Sequence, residues 1–192
     1  MLEFRQAAGH KLALHKILSR EGKSMRNMDF TEAMPILTQR LERGGVFLTV
    51  GGENPNTMTI GWAFFGPAWR KRLFIAMVRP QRHTFGLMEK AEEFTVSIPT
   101  TRPLKEELAF AGSRSGREFD KFQGHGLTAA PAQVVSAPIV AECGVHLECR
   151  IVNKQMLLGK DMEPAVRERC YPMEDYHMLY FGEVVACYTT DE

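Results

Sequence analysis

Residues 56–84 read NTMTIGWAFFGPAWRKRLFIAMVRPQRHT, and the order of chemistry along them sets the architecture. Thr57 to Phe64 is rich in hydroxyl-bearing, aliphatic and aromatic β-formers and reads as a strand that Gly66-Pro67 breaks. Leu73 to Val78 is a short, wholly apolar run and reads as a buried strand. Arg79, Arg82, His83 and Thr84 stand where the chain leaves that strand for a helix over 84–90. A helix start offers free backbone N–H groups and a positive dipole end, and arginine adds a fork of donors suited to phosphate. Two readings stand: an anion cradle with a further polar contact from Thr84 or His83, or a solvated basic turn with a Thr cap.

Working outward, Asp29-Phe30-Thr31-Glu32 has the form of a capping box, and Ala33, Ile36, Leu37 and Leu41 follow at helical spacing. Arg43-Gly44-Gly45 ends that helix, Val46 to Val50 reads as a strand, and Gly51 to Asn56 as a turn. On the other side, Phe94 to Ile98 predicts a strand, Leu104 to Phe110 a helix, and Gly112 to Gly126 a polar loop. Ile139 to Val152 predicts a long strand bent at Gly144, and Asp161 to Asp175, with Pro164 and Pro172, a charged excursion. His177 to Tyr188 closes the chain as a last strand. Strands outnumber helices without βαβ alternation, which predicts a mainly β fold, a mostly antiparallel barrel with peripheral helices outside it. One domain is expected over 29–192, with 1–28 an extension that is helical or disordered.

The chain has 192 residues, 44% of them apolar and 24% charged, which fits a soluble domain with a sizeable core. Lys plus Arg is 24 against 23 Asp plus Glu, and a net charge of +1 excludes the basic excess of a nucleic-acid wrapper or a polybasic membrane binder. No run approaches the roughly 20 apolar residues of a membrane helix. Residues 1–23 lack the apolar core and cleavage site of a secretory leader. Cys143, Cys149, Cys170 and Cys187 are too few and too late in the chain for a disulfide framework and read as reduced thiols, so a cytoplasmic protein is expected.

Several motifs fail on inspection. Gly22-Lys23-Ser24 lacks the upstream glycine of a phosphate-binding loop, since Ile17 stands there. Gly112-Ser113-Arg114-Ser115-Gly116 has Arg where a nucleophile elbow needs Ser. On a strand, Cys143 and Cys149 face one way and His146 the other, so they cannot converge on an ion, and no metal is expected.

Two further clusters invite a ligand. Gly61 opens space within a strand while Trp62, Phe64 and Phe65 offer flat apolar surface, which suits either a planar heterocycle or plain core packing. Gly112 to Phe122 combines hydroxyls, glycines and cations, either around a ligand or as a surface loop anchored by Phe119 and Phe122.

NTMTIGW, VRPQRHT, SRSGREFDKF and HMLYFGEV occur in this order between about Phe30 and Tyr188. In this the chain resembles flavin reductase-like proteins, including the flavoredoxin group. The resemblance implies an FMN-binding split β-barrel of Greek-key type, usually a homodimer with flavin near the subunit interface. It places Thr59, Gly61, Trp62, Ala63 and Phe64 along the isoalloxazine and ribityl chain, largely through backbone groups. Arg79, Arg82, His83 and Thr84 would hold the phosphate, and Ser113, Ser115 and Lys121 would close over the cofactor. His177 would stand near the flavin or the nicotinamide as the catalytic candidate. The implied activity is an FMN oxidoreductase fed by NAD(P)H or a protein donor. The alternatives are a flavoredoxin-type carrier without a pyridine nucleotide site, and a non-redox ligand-binding barrel. Gly61-Trp62-Ala63 stands where flavin reductases carry Asn-Ser-Phe, which leans toward the flavoredoxin branch.

Overall fold

Asp29 starts the first helix, α1 (Phe30–Glu42), by accepting the Thr31 backbone N–H at 2.9 Å. Its other carboxylate oxygen takes Arg72 at 2.8 Å, which ties the helix start to the sheet. Phe30, Ala33 and Leu37, spaced three and four apart, face the core. Gly44 and Gly45 follow with positive φ, and at Gly45 a Cβ would lie 2.5 Å from the Ile60 carbonyl, so only glycine fits there.

The computed structural model describes residues 17–18, 24–51, 54–123 and 125–190. Its strands are β1 (Ile17–Leu18), β2 (Ser24–Asn27), β3 (Val46–Val50), β4 (Asn56–Ile60), β5 (Ala63–Ala68) and β6 (Lys71–Val78). They continue with β7 (Glu93–Ile98), β8 (Ala129–Ala130), β9 (Ile139–Val140), β10 (Val145–Met156) and β11 (Met178–Thr190). Helices α2 (His83–Met88), α3 (Lys105–Ser113) and α4 (Pro164–Cys170) lie between them. Among the described residues no helix is long and apolar enough to cross a membrane.

The main sheet runs β1-β2-β11-β10-β7-β3-β4, with β6 on β11 and β5 on β6, all antiparallel. β11 organises it: one edge pairs with β10, and the other with β6 over Met178–Glu183 and with β2 over Tyr188–Thr190. β4 and β5 sit at opposite ends of the strand order, yet only Gly61-Trp62 joins them. The ends therefore meet at that link, and the fold is a split β-barrel. Leu48, Phe74, Phe94, Leu147 and Tyr180 fill its interior. The other face of β3 is also covered, since Phe47 packs with Leu104, Leu108 and Ala111 beneath α3. Buried Glu148 accepts backbone N–H groups from Gln133, Val134 and Val135 at 2.7–3.0 Å, which satisfies its charge and pins the loop before β9.

Four expectations are corrected. Residues 24–27, expected to be helical or disordered, form β2 on the edge of β11, while most of the extension before them lies outside the described residues. The strand over 57–64 is two strands, interrupted at Gly61-Trp62. Gly66-Pro67 does not break the chain but lies within β5, where an edge strand tolerates proline. The hairpin turns instead at Trp69-Arg70, whose φ values of 52° and 59° match the two positive values of a type I′ turn. The strand over 139–152 is likewise cut: β9 pairs with β8, and β10 begins after Gly144.

Candidate functional site

The link between β4 and β5, the exit of β6 and the C-terminal end of α3 converge on a cleft with two adjoining pockets. The first, about 250 Å³, is lined by Thr59, Gly61, Trp62, Arg79, Arg82 and His177. The second, about 180 Å³, includes Arg82, His83, Thr84, Ser113, Ser115 and Lys121. Arg82 lies between the two, and among the described residues no carboxylate lines either pocket.

Arg82 is half-buried and donates from Nη2 to the Gly112 carbonyl at 2.6 Å. Burial lowers its pKa, but a guanidinium stays charged. Lys121 is buried and donates to the Ala111 carbonyl at 2.9 Å. Burial, then the Arg82 charge, brings its pKa to about 8. These two cations meet carbonyls rather than carboxylates, so the pocket holds positive charge that an anion would balance. His83 is pushed below its ordinary pKa by burial and by Arg117 and Lys121, so it adds a neutral ring.

The Thr-cap reading does not hold. α2 begins at His83 with no side-chain cap, and the buried Thr84 hydroxyl accepts Asn56 Nδ2 at 2.8 Å. Asn56 opens the NTMTIGW motif, but the sequence did not single it out as a site residue. It locks β4 to α2, and Gly116 lies so close to Asn56 and His83 that no Cβ fits. Ser113 donates back to Ala109 at 2.8 Å, and Ser115 accepts the Arg117 N–H at 3.2 Å. Thr59 donates its hydroxyl to the Leu108 carbonyl at 2.6 Å. The Thr59 contribution to the first pocket therefore falls mainly to its backbone.

Arg79 is not brought into the second pocket. It pairs with Asp175 at 2.6 Å, donates to the Cys170 carbonyl at 2.9 Å and lies 4.9 Å over the Tyr171 ring. It thereby fastens the segment 170–177 to the barrel. In that segment Tyr171 hydroxyl is 2.8 Å from His177 Nδ1, and the His177 ring lies 5.5 Å from Trp62. Burial first, then the Arg79 charge, lowers the His177 pKa to about 4, so the ring is neutral near pH 7. Tyr171 and Asp175 were missed because nothing local marks them as partners of residues nearly a hundred positions earlier. Ala63 and Phe64 line a separate apolar cavity of about 560 Å³, which meets the cleft at Gly61 and Trp62. Cys143 lies in the turn before β10, Cys149 faces the barrel core, and His146 Nδ1 is 3.1 Å from Ser97 Oγ.

A family model described as the flavin reductase like domain matches residues 38–192. The chain belongs to the flavin reductase like domain family. An uncharacterized protein of Archaeoglobus fulgidus is 34% identical over 112 residues, 56% of this chain and 60% of that protein, so the match spans less than two thirds of the relative. The FMN-binding domain of a flavin reductases-like enzyme from Shewanella baltica superposes with a TM-score of 0.61 at 17% identity, covering 87% of this chain and 78% of that one. Flavoredoxin of Desulfovibrio vulgaris gives 0.59 at 24% identity, covering 77% and 70%. At such identities these likenesses carry the split-barrel fold of the family member.

Proposed function

We propose that the cleft binds FMN and that the protein is an oxidoreductase passing electrons from NAD(P)H or a protein donor. The observation that carries this is the carboxylate-free pocket around Arg82 and Lys121, joined to a second pocket walled by Gly61 and Trp62. A planar apolar body with a phosphate tail matches that donor set. Family membership and the FMN-binding Shewanella neighbour support the same reading. FMN, when bound, supplies the redox chemistry, and the chain supplies binding, orientation and electrostatics.

Arg82 and Lys121 would hold the phosphate, with Ser115 and His83 at its side. The backbone from Thr59 to Trp62 would line the ring system. His177 takes the catalytic position: the hydrogen bond between Tyr171 hydroxyl and its Nδ1 fixes the orientation of the ring in the first pocket. The apolar cavity beside Trp62, with Trp62 47% and Phe64 56% exposed, supports a homodimer joined at this end of the barrel. Cysteines read as reduced thiols support a cytoplasmic setting.

The test is a visible spectrum of the purified protein with FMN, before and after anaerobic NADH. Flavin bands that survive desalting and bleach with NADH are expected. A protein that fails to bind FMN at micromolar concentration refutes the reading, and bound flavin that stays oxidised with NADH makes the protein a carrier.

A further inference from the structure

Thr84, Ser113 and Ser115 all line the second pocket, but their hydroxyl protons have different destinations. Ser113 donates to the Ala109 carbonyl at 2.8 Å, so its proton is spent within α3. Ser115 accepts the Arg117 N–H at 3.2 Å, a bond within its own loop. Thr84 accepts Asn56 Nδ2 at 2.8 Å, and this bond joins two elements, since Asn56 opens β4 and Thr84 lies in the first turn of α2. An amide NH2 only donates, so the Thr84 oxygen is the acceptor and its own proton is left to point elsewhere. Among the described residues the Thr84 hydroxyl donates to no protein acceptor.

Asn56 is buried and lines neither cleft pocket. It stands behind the wall of the second one and holds that wall at two places. Its Nδ2 fixes Thr84, and its Oδ1 faces Gly116, where a Cβ would overlap that oxygen and come within 2.7 Å of His83 Cδ2. With the Thr84 oxygen engaged from behind, the side left open to its proton is the pocket. There Arg82 and Lys121 supply the positive charge that draws in anionic oxygens.

We infer that Asn56 is a positioning residue of this pocket: by donating to Thr84 it turns the Thr84 hydroxyl into a donor to the phosphate held by Arg82 and Lys121. The inference rests on the flavin reading of the cleft. It makes recognition of the phosphate depend on a side chain that itself touches no ligand.

The test is quenching of flavin fluorescence by the apoprotein, with FMN and with riboflavin, which lacks the phosphate. The proteins are the wild type, Asn56→Asp, Thr84→Val and the double variant. Asn56→Asp keeps the shape but replaces the donor with an acceptor, which draws the Thr84 proton away from the pocket. Thr84→Val removes the hydroxyl. The FMN-to-riboflavin affinity ratio should fall about tenfold or more in Thr84→Val, the scale of a hydrogen bond to a charged group. Thr84→Ser, which keeps the hydroxyl, should recover most of that loss. Asn56→Asp should lower the ratio as well, in part through its new charge, which acts in either background. The part that passes through Thr84 is the difference: the effect of Asn56→Asp should be at least about threefold smaller in the Thr84→Val background than in the wild type. If Asn56→Asp does not fold, Asn56→Ala enters the same cycle and the same non-additivity is expected. An Asn56 effect equal in both backgrounds, equal losses of FMN and riboflavin in the Asn56 variant, or a ratio unmoved by Thr84→Val overturns the inference while FMN still binds the wild type. Failure of the wild type to bind FMN overturns the flavin reading and the role of Asn56 with it.

Discussion

Arg82→Ala is the sharpest probe of the cleft. The guanidinium lies between both pockets and has a carbonyl, not a carboxylate, as its protein partner. Its charge is therefore available to a phosphate. Loss of a hydrogen bond to a charged group costs about 1.5–3 kcal/mol, which is about 10- to 150-fold in Kd. The substitution also removes the donor to the Gly112 carbonyl, so a bare loss of affinity is ambiguous. Riboflavin resolves this, because it lacks the phosphate. The assay is quenching of flavin fluorescence by the apoprotein, with FMN and riboflavin run side by side. FMN should lose the full factor, and riboflavin should lose little. Arg79→Ala is the control. Arg79 is neutralised by Asp175 and lies outside the second pocket, so its loss should leave the FMN-to-riboflavin ratio nearly unchanged. Equal losses for FMN and riboflavin in Arg82→Ala would refute the placement of the phosphate.

Other consequences follow from the same contacts. Lys121 binds an anion only when protonated, so FMN affinity should fall as pH rises past about 8, with the midpoint in the complex displaced upward by the phosphate; Lys121→Met should flatten that dependence in the same titration. His177→Ala should slow anaerobic reduction by NADH more than it weakens FMN binding, as stopped-flow traces and a binding titration would show together. The folded-state pKa of His177 is depressed to about 4 from 6.5, so the unfolded chain binds the extra proton first. Its contribution to stability is whole above pH 6.5 and declines as pH falls toward 4, and His177→Gln should flatten that part of the melting-temperature profile. Gly182→Ala would place a Cβ 2.5 Å from the Phe94 ring and 2.8 Å from Cys149 Cβ, and overpacking of this kind should cost about 1–3 kcal/mol in denaturant unfolding.

Some elements were legible from the sequence because their signals are local. The β-forming runs 46–50, 73–78 and 94–98 are bounded by glycines, charges or a proline and needed no distant partner to be read. The misread turn shows the limit. Gly66-Pro67 has the composition of a turn, yet β5 pairs straight through it, Gly66 with Leu73 and Pro67 with Arg72. The register with β6 puts the reversal at two residues with no turn signature, where an l-residue in positive φ is tolerated because the hairpin on either side holds it. The same distinction separates the arginines. VRPQRHT announces a basic site, and that much was readable. Arg79 and Arg82 are three residues apart, joined by a turn in which Arg82 N–H bonds the Arg79 carbonyl. What decides their roles is the counter-charge each meets. Arg79 meets Asp175 across the fold, while Arg82 and Lys121 meet carbonyls and, among the described residues, no carboxylate. A sequence displays its cations but not the carboxylates that tertiary structure brings to them. A cation left facing carbonyls in a pocket is the one whose charge stays available to a bound anion.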